Sequence, residues 1–420
     1  MRHYSKIVRL IATAGVLAAT ALSQTPSRLD EIAAEQEQKA AQLKPEQAGK
    51  IERALVEFRD RNLMQRFSDG IGGFRLKLGG MGAGTGFGIG PEYHRSGLLG
   101  SQFNLRSAAQ VSFQGDRKFD LELAAPKLFG GKYFTEFYAV HHNFPRMNYY
   151  GSGPDSEKTG RSNYRFEDTA VDATFGIHPV KHLTLASSAG YVFNNVGHGT
   201  DSRFASTETI YSPAQAVGID EQVNFLRTGG YAHYDWRDNP GGARRGGSYL
   251  AQFGDYRDRT LGVNNFQRLD LEAQQYISVL NSRRVFALRA KSVLTRSDAT
   301  SLPFYMQPSL GGADDLRGYR PYRFRGNNLV VMNAEYRWEI FSGLDMAAFA
   351  DAGQVSMRKS DFAWNRMESD IGFGFRFNAR DKTFLRLDVG FSHEGFQVWV
   401  KFNNVFKKGP VHTSSNMGDI

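Results

Sequence analysis

The feature that most constrains this chain is an alternation of apolar and polar side chains that begins near Gly73 and recurs almost to the C-terminus. In the last such run, Phe396, Val398, Val400 and Phe402 occupy every second position, with mostly polar residues between them. Because successive side chains of a strand point to opposite faces, the pattern predicts strands with one apolar face. A soluble sandwich would also alternate, so alternation alone leaves a sandwich and a membrane barrel open.

The lengths of the runs and of the connections favour the barrel. Many runs exceed the usual strand of about five to six residues and suit a tilted membrane crossing of about 9–11 residues. From the fifth run onward, long connections such as 145–161 and 197–221 mostly alternate with short ones such as 178–181 and 280–283. Bacterial barrels have long external loops, short periplasmic turns and an even number of strands. Sixteen runs are predicted, near 73–79, 84–95, 101–114, 117–127, 132–144, 162–178, 182–196, 222–238, 246–258, 263–279, 284–297, 326–340, 344–355, 368–379, 382–393 and 395–406.

We therefore predict an all-β fold, a sixteen-stranded antiparallel transmembrane β-barrel over residues 71–406 with a short N-terminal helical segment and a polar C-terminal tail at 407–420. Its apolar face would contact the lipid of a bacterial outer membrane. After the first 23 residues, no segment of the sequence approaches about 18 consecutive apolar residues, so no spanning helix is predicted.

The N-terminal residues predict export. Arg2, Lys6 and Arg9 precede a short apolar run at 10–22, which ends in the small residues favoured at a cleavage site. Residues 1–23 are therefore predicted to be a signal peptide. The alternative, a membrane anchor, is disfavoured because the apolar run is too short to cross a bilayer as a helix.

Residues 24–70 are predicted to be a periplasmic helical segment. Glu, Gln, Ala and Lys dominate its first half, and Pro45 suits the first turn of a second helix. Ile51, Leu55 and Phe58 fall on one face of that second helix. Two interpretations stay open, a solvated linker and a helix that docks on the mouth of the barrel.

Composition and motifs exclude several classes of function. The chain has no cysteine, so it has no disulfide framework and no thiol chemistry. Its net charge of +9 is scattered among acidic residues rather than gathered on one element, which argues against nucleic acid as a partner. No G-x-S-x-G motif is present, and His141 and His142 lack a third metal ligand at useful spacing. We expect no enzyme activity, no cofactor and no metal.

One long loop and the two runs that follow it carry the candidate site residues. These are Leu316, Arg317, Gly318 and Tyr319 in the loop between the eleventh and twelfth runs, Glu335 in the twelfth run, and Phe349, Asp351 and Gly353 in the thirteenth. In these motifs the chain resembles the Omp85 superfamily, which includes outer-membrane assembly barrels, translocation-and-assembly barrels and two-partner secretion transporters. That family places [VIL]-R-G-[FY] in its sixth external loop, a glutamate in strand twelve and F-x-D-x-G in strand thirteen.

The resemblance implies that the loop folds back into the lumen and that Arg317 pairs with Glu335 and Asp351. Period two places both acids on the lumen face of the barrel. A planar guanidinium in a confined lumen needs carboxylate partners and can hold two. Without the resemblance, a solvated arginine in a glycine-rich surface loop is the simpler interpretation. With it, we predict a buried latch between loop and barrel wall.

Two features depart from the family. Its assembly proteins carry periplasmic POTRA modules, and residues 24–70 are too few and too helical to form one. A separate periplasmic or outer-membrane protein could supply that function. A polar tail also follows the last predicted strand, which ends at Phe406.

The glycines at alternate positions from Gly80 to Gly90 predict one bare strand face rather than a nucleotide-binding loop, because no βαβ unit surrounds them. Bare backbone there leaves room in the lumen. It would also weaken closure between the first and last strands, as the lateral gate of the Omp85 family requires.

The first functional hypothesis is an Omp85-type barrel that assists insertion or translocation of polypeptides, or of lipids, at the outer membrane. The alternative is a passive pore or structural barrel that keeps the loop for stability. A third, weaker hypothesis is an outer-membrane hydrolase. The sequence names no substrate.

Overall fold

The structure is a computed structural model. It describes residues 72–417 apart from 80, 83, 281–282, 298–301, 380–381, 403–405 and 407–408. The predicted signal peptide, residues 1–23, and helical segment, residues 24–70, lie outside the described residues.

Sixteen antiparallel strands form one sheet in which each strand pairs with its sequence neighbours. The strands are β1 Phe74–Leu78, β2 Gly88–Gly97, β3 Phe103–Ser112, β4 Arg117–Leu128, β5 Tyr133–Tyr149, β6 Ser162–Val180, β7 Leu183–His198, β8 Phe225–Asp235, β9 Gly246–Asp258, β10 Phe266–Val279, β11 Arg284–Ser297, β12 Asn328–Phe341, β13 Leu344–Ser356, β14 Glu368–Ala379, β15 Lys382–Ser392 and β16 Gly395–Lys401. The predicted sixteen-stranded antiparallel barrel is confirmed.

The helical elements among the described residues are short. Two four-residue helices lie at Leu98–Ser101 and Thr207–Ile210. Single 3₁₀ turns lie at Phe129–Gly131, Lys158–Gly160, Phe304–Met306, Lys359–Asp361 and Trp364–Arg366. Within the described part of the chain, no helix has the length and apolarity needed to cross a membrane.

The two faces of the sheet are inverted relative to a soluble protein. On β16, Phe396, Val398 and Val400 are 63%, 60% and 56% exposed. On β14 and β15, the guanidinium groups of Arg376 and Arg386 are buried. Large apolar groups on the outside and paired charges on the inside suit a wall that faces lipid outward and a filled lumen inward.

The two ends of the sheet approach each other. A Cβ built on Gly79, just after β1, would lie 3.6 Å from the Cβ of Phe402, just after β16. The rings of Phe87 and Phe402 are 5.2 Å apart. Side chains at the two ends of the sheet are therefore in contact.

The structure differs from the sequence prediction near both end strands. The glycines from Gly82 to Gly86 lie in the connection before β2 rather than on a strand face, and Gly84 has a φ of +77° that favours glycine. The last strand stops at Lys401, and Phe406 is buried in an inner apolar cluster instead of ending the strand.

Candidate functional site

The long connection between β11 and β12 folds into the lumen. We call residues 309–325 the latch loop. Its ends pair as a two-residue hairpin, Ser309–Leu310 with Phe324–Arg325. Within it, the backbone N–H of Gly312 donates to the carbonyl oxygens of Leu316 and Tyr319, both at 3.2 Å. These bonds close the loop on itself and present the segment between them to the wall.

Arg317 lies at the centre of the site and is completely buried. Its Nε and Nη2 donate to the two carboxylate oxygens of Asp351 at 2.7 and 2.8 Å, which is a bidentate pair. Its Nη1 donates to Glu335 Oε2 at 2.6 Å. Burial disfavours the charged guanidinium, but the two carboxylates outweigh that effect and hold the pKa of Arg317 well above its ordinary value. The structure thus brings together the three charged residues singled out in the sequence.

The remaining residues of the strand motif shape the space around this arginine. The Phe349 ring lies under the Arg317 guanidinium, whose Cζ is 3.5 Å from the ring centroid. That ring fits because Gly372 on β14, beneath it, has no side chain. A Cβ on Gly353 would lie 3.0 Å from Leu310 Cδ1, so the glycine leaves room for the latch loop.

Gly318 lets the loop backbone approach the wall closely. A Cβ there would lie 2.6 Å from the Cβ of Asp370 on β14 and 3.0 Å from the Cβ of Ser392 on β15. Directly below, a Cβ on Gly390 would lie 2.5 Å from the carbonyl carbon and oxygen of Arg317. Two glycines, one in the loop and one in the wall, are therefore required at the same contact.

Leu316 and Tyr319 hold the loop against the wall before and after Arg317. Leu316 is buried in an apolar cluster formed by loop and wall, with Val293, Leu310, Tyr319, Phe324, Leu329, Val331 and Val355. Tyr319 donates its hydroxyl to Glu368 Oε2 at 2.7 Å. Burial and the nearby Glu368 raise the pKa of Tyr319, so the hydroxyl keeps its proton for this bond.

Glu335 is the centre of a larger network that motif analysis did not find. Besides Arg317, Glu335 accepts hydrogen bonds from Arg337 Nε at 2.6 Å and from Arg376 Nη2 at 2.7 Å. Arg376 also pairs with Asp388 on β15 at 2.5 Å. The alternation of side chains along each strand shows that these residues share the lumen face. Only the pairing register across β12 to β15 shows that they contact one another.

The loop is also tied to the last two strands. Arg386 on β15 donates to the carbonyl of Ala313 at 2.9 Å and to Asp314 Oδ1 at 2.7 Å. The indole N–H of Trp399 on β16 donates to the carbonyl oxygen of Arg317 at 2.7 Å. The latch therefore reaches the strand that forms one edge of the contact between β1 and β16.

The charged groups of the latch pair with one another, and among the described residues no group of three or more histidine, aspartate or glutamate side chains is arranged to hold a metal ion. What the arrangement can do is fix a loop across the lumen and couple its position to the strands at the end of the sheet.

Comparisons with known proteins identify the family and support the fold. The Omp85 superfamily domain matches residues 98–394. The chain resembles BamA from Haemophilus ducreyi lacking POTRA domains 1–3, with a TM-score of 0.59 and 12% identity over 83% of this chain and 78% of that one. It also resembles CdiB from Escherichia coli, with a TM-score of 0.51 and 15% identity over 77% of this chain and 61% of that one. A comparison with curated protein sequences finds no match. At these identities the two structures support the fold alone.

Proposed function

Because the chain belongs to the Omp85 superfamily, we propose that it is a bacterial outer-membrane barrel that assists insertion or translocation of polypeptides, or of lipids. The observation that carries the proposal is the shortness of the two end strands of the sheet. β1 has 5 residues and β16 has 7, whereas the strands between them have 10–19. Unpaired strand edges are templates for another strand.

The latch supports the same proposal. It fastens the loop to β12–β15 through buried charges and to β16 through one hydrogen bond from Trp399. Since a single neutral hydrogen bond contributes about 0.5–1.5 kcal/mol, β16 is the weakest of these attachments. The rigid part of the barrel would hold the loop while the edge strand moves.

A separate protein is expected to present the substrate. The predicted periplasmic segment, residues 24–70, is the part of the chain placed to meet such a protein. We propose that a periplasmic or outer-membrane partner supplies that function. Affinity capture from native membranes, using the full chain and a variant lacking residues 24–70, tests whether the N-terminal segment recruits this partner.

The proposed activity is tested in proteoliposomes. A urea-unfolded, eight-stranded outer-membrane protein is diluted into vesicles with or without this barrel, and its folding is followed by the gel shift of the heat-sensitive folded form. We expect faster folding with the barrel present. A matched preparation containing a porin of similar size controls for defects caused by any embedded barrel. Equal rates in all three vesicle types would favour the alternative, a passive or structural barrel.

A further inference from the structure

The C-terminal segment lies inside the barrel. Residues 409–417, which we call the tail segment, belong to the predicted polar tail at 407–420. Thr413, Ser414 and Ser415 are 1%, 0% and 3% exposed. A Cβ on Gly409 would lie 3.5 Å from His233 on β8, and Met417 joins the largest of the buried apolar clusters.

The wall contacts the backbone of the tail segment, not only its side chains. The side-chain amide of Gln252 on β9 donates to the carbonyl oxygen of Val411 at 2.7 Å and accepts from its N–H at 3.0 Å. Asp172 on β6 accepts from the backbone N–H of Ser414 at 2.8 Å and from its hydroxyl at 3.1 Å. Backbone recognition of this kind suits an extended peptide and depends little on its sequence.

The end of the tail segment is recognised through one polar side chain. Asn416 accepts from Arg268 Nη1 on β10 at 3.0 Å and donates to the carbonyl oxygen of Tyr305 at 2.7 Å. Tyr305 belongs to the same connection as the latch loop. The tail segment therefore meets the base of that connection inside the lumen.

Space remains beside the tail segment. A lumen cavity of about 1200 Å³ is lined by the tail itself, by Gln252 and Arg268, and by latch-loop residues such as Tyr322. Gln252 and Arg268, which contact the tail segment, thus also face free space in the lumen.

We propose that the groove along β6, β8, β9 and β10 is a binding site for an extended polypeptide rich in uncharged polar residues, and that the tail segment is its resting occupant. The tail sequence, Gly409-Pro-Val-His-Thr-Ser-Ser-Asn-Met417, is itself of this composition. A substrate segment of similar chemistry displaces the tail and takes over the contacts made by Gln252 and Asp172. This inference rests on the proposed function, because it names the class of polypeptide that the lumen accepts.

Conductance across planar bilayers tests the proposal. The full chain is expected to give small currents, and a variant ending at Phe406 is expected to give large, steady ones. A synthetic peptide of residues 409–417 should then block the truncated barrel from one side of the bilayer and leave the full chain unaffected. A peptide of the same length with glutamate in place of Thr413, Ser414 and Ser415 should block at least tenfold less well, because its carboxylates would meet the carboxylate of Asp172.

Variants of residues in the groove test whether the blocking peptide binds there. Gln252→Ala in the truncated barrel removes both backbone contacts at Val411 and should raise the half-blocking peptide concentration about tenfold. The matched control is Gln267→Ala, because Gln267 bonds Asp255 instead of the tail. Equal block by the native and glutamate-substituted peptides, or the same half-blocking concentration for Gln252→Ala and the control, overturns the proposal.

A second variant tests the proposal even if the truncated chain fails to fold. Ser414→Pro in the full chain removes the N–H and the hydroxyl that Asp172 accepts. It should raise the conductance, and added peptide should lower it again. Unchanged conductance in this variant also overturns the proposal. The conductance measurements use no folding substrate. If the peptide blocks specifically but the barrel does not speed folding in proteoliposomes, the result counts against the insertion activity and not against the groove.

Discussion

Replacing Arg317 with alanine is expected to release the latch loop from the wall. The arginine is completely buried and donates three hydrogen bonds from its guanidinium to Asp351 and Glu335. Breaking a buried ion pair from one side costs about 3–5 kcal/mol, because a buried carboxylate is left without its counter-charge. Both carboxylate partners are also fully buried, so water does not screen the loss.

The groups that remain beside each carboxylate decide how large the stability loss of Arg317→Ala is. Glu335 keeps Arg337 and Arg376 after the substitution, whereas Asp351 keeps the amide of Asn333 at 2.8 Å. An amide compensates a buried negative charge less well than a cation. We therefore expect a loss of about 3 kcal/mol, carried mainly by Asp351.

Urea unfolding in vesicles measures this loss, with tryptophan fluorescence and the heat-dependent gel shift as readouts. Arg317→Lys should recover part of the stability, because an ammonium keeps the charge but not the planar fork. Arg366→Ala is the control, since the pair of Arg366 with Asp155 is solvent-exposed and should leave the unfolding midpoint unchanged.

A double-mutant cycle isolates the pair itself. For Arg317 with Asp351 we expect a coupling of about 2 kcal/mol, and a smaller one for Arg317 with Glu335 because two other arginines remain there. Coupling indistinguishable from zero for both acids would refute the latch, and a stability loss on Arg317→Ala would then reflect packing against Phe349.

Three further predictions concern the same loop. Gly390→Ala should make the latch loop about as sensitive to protease as Arg317→Ala does, because the new Cβ would lie 2.5 Å from the Arg317 backbone. Wild-type protease resistance of the loop would contradict this. Trp399→Phe removes one hydrogen bond and should lower stability by about 1 kcal/mol in urea titrations, while a larger loss would show that the indole mainly packs. Leu316→Ala should cost about 2–5 kcal/mol, since its side chain is fully buried in the loop–wall cluster; a loss below about 1 kcal/mol would mean that the cluster repacks.

The barrel was largely predictable because strand number and facing follow from local pattern. Period two assigns each side chain to a face, and the sixteen predicted runs correspond one to one with β1–β16. Their ends were less predictable. The sequence from Lys401 to Phe406 still reads as a strand, but the described strand ends at Lys401 and Phe406 is buried beside Tyr276 and Val285.

The site was predictable only in part. Arg317, Glu335 and Asp351 are visible as a motif, whereas Arg376, Arg386 and Trp399 become partners only through the register of three further strands. The tail segment gave no signal at all, because a short polar sequence without periodicity looks the same whether it is solvated or bound in a lumen. Its polar groups are satisfied by Gln252 and Asp172, which lie more than 150 residues away.

The seam between β1 and β16 allows the most direct test of the central claim that the barrel works by opening there. The native chain has no cysteine, and Gly79→Cys with Phe402→Cys places two Cβ atoms about 3.6 Å apart, a distance that suits a disulfide. Gly79 has a φ of +71°, so the reduced seam pair also controls for the backbone strain of this substitution. The control pair, Ala139→Cys with Val171→Cys, links two strands that are already in register. We predict that oxidation of the seam pair abolishes accelerated folding in proteoliposomes, that reduction restores it, and that the control pair is active in both states. Full activity of the oxidised seam pair, with the disulfide verified on gels, would contradict the account.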